Sequence, residues 1–432
     1  VLTDDPEVPT VRPVLKPALR RLWRNDETLQ LGAGATCGLV LEGVDDATSN
    51  VLALLDGART TEEVVAAAEA EGVPATDVRA LLMLLRDANA LDDAGAVPRS
   101  RPVNERLRLQ PDLATLTLLT TDPGAGARSL DNRRDASVLV VGAGRVGALV
   151  ASLLAAAGIG HVSVRDERLA SVRDAVPGGL TPRDDGQTRA LAAMEAAQRA
   201  GGASVDGATR PPDANDCRNA DLAVVACDGW LVPPVTLIDL FAIVGLPYLV
   251  TGVRETYGVV GPLVMPGRSS CPRCQDLHRT DRDPAWPVLA AQLAAESAFD
   301  ADAACDVTLA AGVAALTAGQ VLAHLIGPGL TRCVDATLEL RLPEWTVRRR
   351  TWTPHPDCPC GVAESLAAEE AAARAARVEA ALAAVARAQR EAAQLDEPTG
   401  LDQPTTPEHA PEHAPTGEQA REQAPDAAGA RR

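Results

Sequence analysis

The stretch Ser137-Val-Leu-Val-Val-Gly142-Ala-Gly144-Arg-Val-Gly147 constrains this chain more than any other. A short aliphatic run turns through three glycines directly into a helical apolar pattern, Val146 to Ala157. A strand buried on both faces reads as such a continuous run, and it belongs in a parallel sheet covered by helices. The glycines permit a tight turn and close backbone approach at a helix N-terminus, where N–H groups can hold phosphate. A glycine turn kept for packing alone is the plainer alternative. HVSVRD, DLAVVACD and LPYLVTGV are further runs suited to buried parallel strands, with a helical segment at Arg189 to Ala200. Together they predict an α/β fold, a Rossmann-like domain over residues 136–361. Asp166 ends the second strand, where a carboxylate accepts ribose hydroxyls. Asp228 follows the strand DLAVVAC at the edge where such sheets place ligands. It could hold Mg²⁺ against a triphosphate, or cap the next helix.

Cys271-Pro-Arg-Cys274 and Cys358-Pro-Cys360 form two closely spaced thiol pairs. Four thiolates close a tetrahedral shell around a structural Zn²⁺ and leave no open position. A redox dithiol and unpaired thiols remain as alternatives. Cys37, Cys217, Cys227, Cys305 and Cys333 read as small apolar fillers, with a covalent nucleophile as the sharper option. His278 and His355 flank the pairs and suit hydrogen bonding better than metal ligation. Arg279, Asp283 and Trp286 make a dense polar cluster without an assigned role.

Charge and composition remove whole classes of function. The 41 basic residues stand against 59 acidic ones, a net charge of −18, and Lys16 is the only lysine. A phosphate-binding loop of the G-x-x-x-x-G-K type and a protein-kinase site both need lysines this chain lacks. The acidic balance argues against nucleic acid, which calls for clustered cations. The longest apolar stretch is expected at Val146–Gly160, too short to span a membrane. With no targeting segment visible and no secretion signal beside nine cysteines, a cytoplasmic protein is expected. Aromatic residues are only 2%, so Ala, Val and Leu must build the core.

Residues 1–100 read as a winged-helix-like α+β module. Short strands are expected between Thr28 and Val44, then three helices. Asp45 or Asp46 caps the first, and a threonine starts the second. The third carries an apolar face at Val78, Leu81, Leu82, Leu84 and Leu85. Residues 101–135 read as a polar connector. Residues 362–395 should be an exposed Ala/Glu/Arg helix. Residues 396–432, with His409 and His413, should be a disordered tail.

These motifs, in this order, resemble the ThiF/MoeB type of ubiquitin-activating-like adenylyltransferases. GAGRVG, Asp166, GQTR, ACD ending at Asp228, and PYLVTGVRETYGVVGPLVMPGRSSCPRC carry the resemblance. It implies that Gly142, Gly144, Gly147 and Asp166 hold ATP. It further implies that Asp228 positions Mg²⁺ and that Cys271, Cys274, Cys358 and Cys360 hold zinc. The reaction would join AMP to a carrier protein's or peptide's C-terminal carboxylate. Three features depart from that pattern. No Asn-x-x-Arg segment follows Asp166, although Arg168, Arg173 and Arg183 lie nearby. Arg189 stands where the resembling enzymes carry a lysine, and Arg145 replaces a further loop glycine.

A front module, CPRC-x-DLHRTDRDPAWP and a terminal HPDCxC resemble a subgroup from thiazole/oxazole-modified peptide biosynthesis. That resemblance implies a homodimer whose front module captures a leader peptide as an added strand. The chain would present this ribosomal precursor to a YcaO-type cyclodehydratase. An active adenylyltransferase is the alternative, and an NAD(P)-dependent oxidoreductase the remote one.

Overall fold

The computed structural model describes residues 11–34, 38–227, 233–296, 304–327 and 329–395. The chain divides into two units, Val1–Ala367 and Ala368–Arg432.

The first unit begins with strands β1 (Pro13–Leu15), β2 (Arg21–Asn25), β3 (Thr28–Leu31) and β4 (Leu39–Glu42). Helices α1 (Asp46–Leu54), α2 (Thr61–Ala70) and α3 (Ala75–Asp87) and strand β5 (Leu91–Asp93) follow. Strands β2, β3 and β4 form an antiparallel sheet in that order, while β1 pairs with β5. The helix starts are written locally. Asp45 accepts from the Thr48 N–H, and Thr60 and Glu63 close a reciprocal capping box. Leu29, Leu31, Val51, Leu55, Val64, Val78 and Leu85 build the module's own core. Leu84, expected on the buried face of α3, is instead 49% exposed. Val78, Leu82 and Leu85 already fill the stripe one helix face can bury.

Residues 101–135 are not an irregular connector. They form α4 (Val103–Leu119) and α5 (Ala125–Asp135). The apolar positions Leu109, Leu113 and Leu116 pack against Leu130, but Arg, Glu and Pro111 between them hide the period. The charge run DNRRD is the last part of α5.

The main domain runs β6 (Ser137–Val141), α6 (Arg145–Ala156), β7 (His161–Arg165), α7 (Arg189–Ala200), β8 (Ser204–Ala208), α8 (Ala214–Arg218), β9 (Leu222–Cys227), α9 (Val235–Val244), β10 (Tyr248–Arg254) and β11 (Tyr257–Val264). It closes with α10 (Pro272–Arg282), α11 (Trp286–Glu296), α12 (Val307–Ile326), β12 (Ala336–Arg341) and β13 (Thr346–Thr351). One sheet of eight strands holds them in the order β13-β12-β11-β10-β9-β6-β7-β8. From β8 to β10 every pairing is parallel; from β10 to β13 every pairing is antiparallel. The parallel half reverses its winding between β6 and β9. An open α/β sheet binds ligands at such a point, beyond the carboxyl ends of the strands.

The longest apolar segment is α12, not Val146–Gly160. It is long and apolar enough to cross a membrane by length and composition alone. Leu309, Ala310, Val313, Ala314, Thr317, Ala318 and Val321 are buried in the main core, so its apolar face is a packing face. Gly, Thr and Gln among the aliphatic residues make the run inconspicuous in sequence. The helix α13 (Val362–Leu395) follows, and from residue 368 it belongs to the second unit. Residues 396–432 lie outside the described residues.

Candidate functional site

Gly142 directly follows β6 and takes φ +92°, a left-handed conformation that favours glycine. A Cβ there would stand 2.2 Å from the Ala226 carbonyl oxygen, and one on Gly147 would stand 1.9 Å from the Gly142 carbonyl oxygen. These two glycines thus bring the tips of β6 and β9 together and seat α6 beneath the loop. Gly144 caps α6 in extended backbone that any residue adopts. Asp166, one residue beyond β7, is buried. Its Oδ2 accepts from the Ala143 N–H at 2.7 Å and its Oδ1 from the Arg168 N–H at 2.8 Å. The carboxylate therefore ties its own loop to the glycine turn.

A crevice of about 950 Å³ opens at this edge. Val141, Gly142, Asp166, Arg168, Ala226 and Cys227 line it, with Arg210 and Leu237 further out. Its place over the sheet's reversal point and its glycine floor suit a nucleotide. Asp228 lies outside the described residues, as does Cys37. The neighbouring residue Cys227 stands at the crevice wall.

Arg189, at the start of α7, does not line this crevice. Its Nε and Nη2 donate to the two oxygens of Asp174 at 2.9 and 2.6 Å, a bidentate pair, and its Nη1 lies 3.9 Å from Asp166. Asp174 is buried and also accepts from the Ser171 N–H. Sequence reading missed Asp174. The capping pattern Ser171-Val-Arg-Asp174, repeated as Thr181-Pro-Arg-Asp184, was the signal that marked it as a fixed point. Arg145 spans from α6 to the carbonyls of Arg173 and Cys305. Beside the crevice, Arg165 donates to Asp206 and Asp216, and Arg210 donates to Asp216 as well.

The four paired cysteines converge at the core cluster that also holds Leu237, Phe241 and Tyr248. Sγ distances are 3.8 Å for Cys271–Cys274, 3.7 Å for Cys271–Cys358 and 3.6 Å for Cys274–Cys360. A disulfide needs sulfurs about 2.05 Å apart, so these are not bonded pairs. Cys271 caps α10, Cys274 sits in its first turn, and Cys358 and Cys360 immediately precede α13. The hydrogen bond from Cys271 draws the Cys274 thiol down to about 4 and holds Cys271 up, while burial pushes Cys358 up to about 12. One negative charge is thus already favoured among the four. A metal ion could be held here by all of them.

His278 and His355 hydrogen-bond to protein groups. His278 Nε2 meets the Thr353 carbonyl at 2.9 Å, and His355 Nε2 meets Asp281 at 2.9 Å. Together with Asp281 they form a second, looser cluster of ligand-type atoms. Cys217 and Cys333 are buried, and burial raises their thiols to about 11 and about 12. Cys227 and Cys305 are half-buried and pack against the edges of the core.

Fold and site define a class: a doubly wound α/β protein with a glycine-floored crevice at the sheet's reversal point and a four-thiol clip. The ThiF family pattern matches residues 120–360. The chain belongs to the ThiF family. No curated protein sequence matches it. Among solved structures it is similar to the microcin C7 biosynthetic enzyme MccB in complex with N-formylated MccA, at 17% identity and TM-score 0.59, covering 81% of this chain and 99% of that one. Escherichia coli MccB with ATP matches at 17% identity and TM-score 0.60, with coverage of 81% and 99%. PaaA matches at 15% identity and TM-score 0.57, covering 78% and 99%. Residues 120–432 alone cannot supply 81% of the chain, so the shared fold reaches into the front module.

Proposed function

We propose that this chain binds a ribosomally made precursor peptide and presents it to a separate YcaO-type cyclodehydratase, acting in the cytoplasm as a homodimer. The front module would take the leader segment as an added strand. Its three-stranded sheet leaves β2 and β4 as edges among the described residues. The observation that carries presentation over catalysis is the Arg189–Asp174 pair. The guanidinium at the position of the family's phosphate lysine is engaged bidentately with a buried carboxylate, and its Nη1 stands 3.9 Å from Asp166 at the crevice wall. MccB, captured with both ATP and MccA, supports a peptide partner for this fold.

A second reading, adenylation of a peptide or carrier carboxylate, is favoured by the formed crevice. Gly142, Gly144, Gly147 and Asp166 would hold ATP, Asp228 would hold Mg²⁺, and Arg189 would reach the phosphates. ATP–pyrophosphate exchange with candidate peptide decides between them. Presentation predicts background exchange together with peptide binding that is lost when residues 1–100 are removed. Robust exchange abolished by Asp228→Ala overturns it in favour of adenylation.

The thiol clip fits structural zinc. Four sulfurs each about 2.3 Å from a tetrahedral Zn²⁺ stand about 3.8 Å apart, and the distances here are 3.6–3.8 Å. Bound zinc would neutralise the thiolates and pin α10 to the segment before α13. Freshly purified protein should contain close to one zinc per chain, and Cys271→Ser should lose it. Metal-free protein with an unchanged melting temperature would refute the assignment.

A further inference from the structure

Arg279, left without a role above, lines a small cavity of about 70 Å³ between α10 and the antiparallel strands. The register places its wall on one sheet face. Arg254 is paired with Tyr257, Val259 with Glu339, and Thr337 with Arg350. The opposite face, with Val260, Leu338 and Leu340, packs into the main core. Charged residues on a covered sheet face are costly unless something there uses them.

The balance of charge in the cavity is positive. Arg254, Arg279 and Arg350 line it against Asp276 and Glu339. Those carboxylates are already engaged. Asp276 accepts from Arg279 at 2.9 Å and from Trp286 at 3.0 Å, and Glu339 accepts from Arg341 at 2.7 Å and lies 3.9 Å from Arg350 Nη1. The guanidinium carbons of Arg350, Arg279 and Arg282 crowd one indole ring, lying 4.2, 5.2 and 5.5 Å from the centre of Trp352. Burial lowers Arg279 from its ordinary value, and Arg254 and Arg350 add to the effect. A second observation points inward. Gln275 is only 5% exposed, lines the cavity, and has no hydrogen-bond partner for Nε2. A buried donor without an acceptor costs about 1–3 kcal/mol.

The cavity is far below the roughly 300 Å³ at which sites for whole drug-sized ligands begin. It has room for a small anionic group. Pro233 lines it and Pro234 lines the crevice at the glycine turn, so consecutive residues border the two cavities. We propose that this cavity is an anion pocket that receives the side-chain carboxylate of an Asp or Glu in the peptide substrate. The assignment rests on the peptide-binding reading above. Arg350 and Gln275 supply the donors, and Trp352 holds the arginines in place by stacking.

The test uses the full-length chain and three probes: N-acetyl-glutamate α-amide, its glutamine counterpart, and inorganic phosphate. Binding is read by calorimetry and by tryptophan fluorescence. The carboxylate probe should bind saturably, with the glutamine counterpart weaker by about tenfold or more. Arg350→Gln should weaken the carboxylate probe by a similar factor while keeping the melting temperature. Gln275→Leu should also weaken it, with zinc content checked because Cys274 is adjacent. Binding of phosphate without the carboxylate, or of neither, overturns the pocket. Peptide capture that persists without carboxylate binding fails the pocket alone. Carboxylate binding without peptide capture fails the peptide reading.

Discussion

Gly142 is fixed by two independent constraints. Its φ of +92° disfavours any L side chain, and the space where a Cβ would go is filled by the Ala226 carbonyl oxygen at 2.2 Å. The left-handed backbone costs a residue other than glycine about 1–2 kcal/mol, and steric overlap in a packed site adds about 1–3 kcal/mol. Gly142→Ala should therefore lose about 2–5 kcal/mol in urea denaturation. A loss below about 1 kcal/mol would show that the loop relaxes around the methyl. Asp174 is the second residue where position decides the outcome. It caps its own turn and closes the bidentate pair with Arg189, both largely buried. Removing one partner of such a pair costs about 3 kcal/mol or more. Asp174→Ala should show this as a lowered melting temperature, and it should release Arg189 toward the crevice. If ATP affinity then rises, the pairing is what holds the arginine off the phosphates; if affinity is unchanged, Arg189 serves structure alone.

At the scale of elements, legibility followed burial on both faces. β6, β9 and β10 are mostly apolar because helices or strands cover each side, and α6 and α7 carry their period openly. β8 is an edge strand, SVDGA, whose Asp206 serves Arg165, so its sequence has little strand character. β13 reads TVRRRT because it closes the other edge and faces solvent. The glycine loop, Asp166 and the cysteine pairs were visible as motifs. Asp174 showed only as a local capping pattern, its pairing with Arg189 hidden, and the arginine pocket was not visible because it arises only when distant segments meet. The network joining β7, β8 and α8 has a measurable pH signature. Burial pushes the Asp216 carboxyl up, but hydrogen bonds from Arg165 and Arg210 outweigh it and hold the group far below the ordinary carboxylate range. A depressed native value means stability that is fully present above the unfolded value of about 3.9 and is lost as pH falls toward the native one. Asp206 is lowered in the same sense. Asp216→Asn should melt lower than the parent at pH 7, with the gap narrowing below about pH 4. A gap that stays constant down to pH 2 would show that the charge on Asp216 contributes nothing.

Within the first unit, the front module is joined to α4 at the chain's one lysine. Lys16 stands at the end of β1 and is 2% exposed. Its ammonium donates to the carbonyls of Thr117 and Thr120, at the C-terminal end of α4, and to Asn89 Oδ1 at 2.5 Å. Asn89 in turn donates to the Leu118 carbonyl at 3.1 Å, and Asp92 accepts from the Gly124 N–H at 2.6 Å. The front module thus grips the last turn of α4, where unpaired carbonyls and the helix dipole favour a cation. A compact ammonium with three donors suits three acceptors arranged around one point, whereas a planar guanidinium presents a fork. That is a physical reason for a lysine at this place in a chain that otherwise carries arginine. Lys16→Met keeps much of the side-chain volume but strands the buried acceptors, each costing about 1–3 kcal/mol. It should lower stability by about 3 kcal/mol and speed proteolysis between the front module and α4. Lys16→Arg should not restore the parent's resistance, because the fork cannot reproduce the three-point contact. If Lys16→Arg were indistinguishable from the parent, the joint would need only a positive charge.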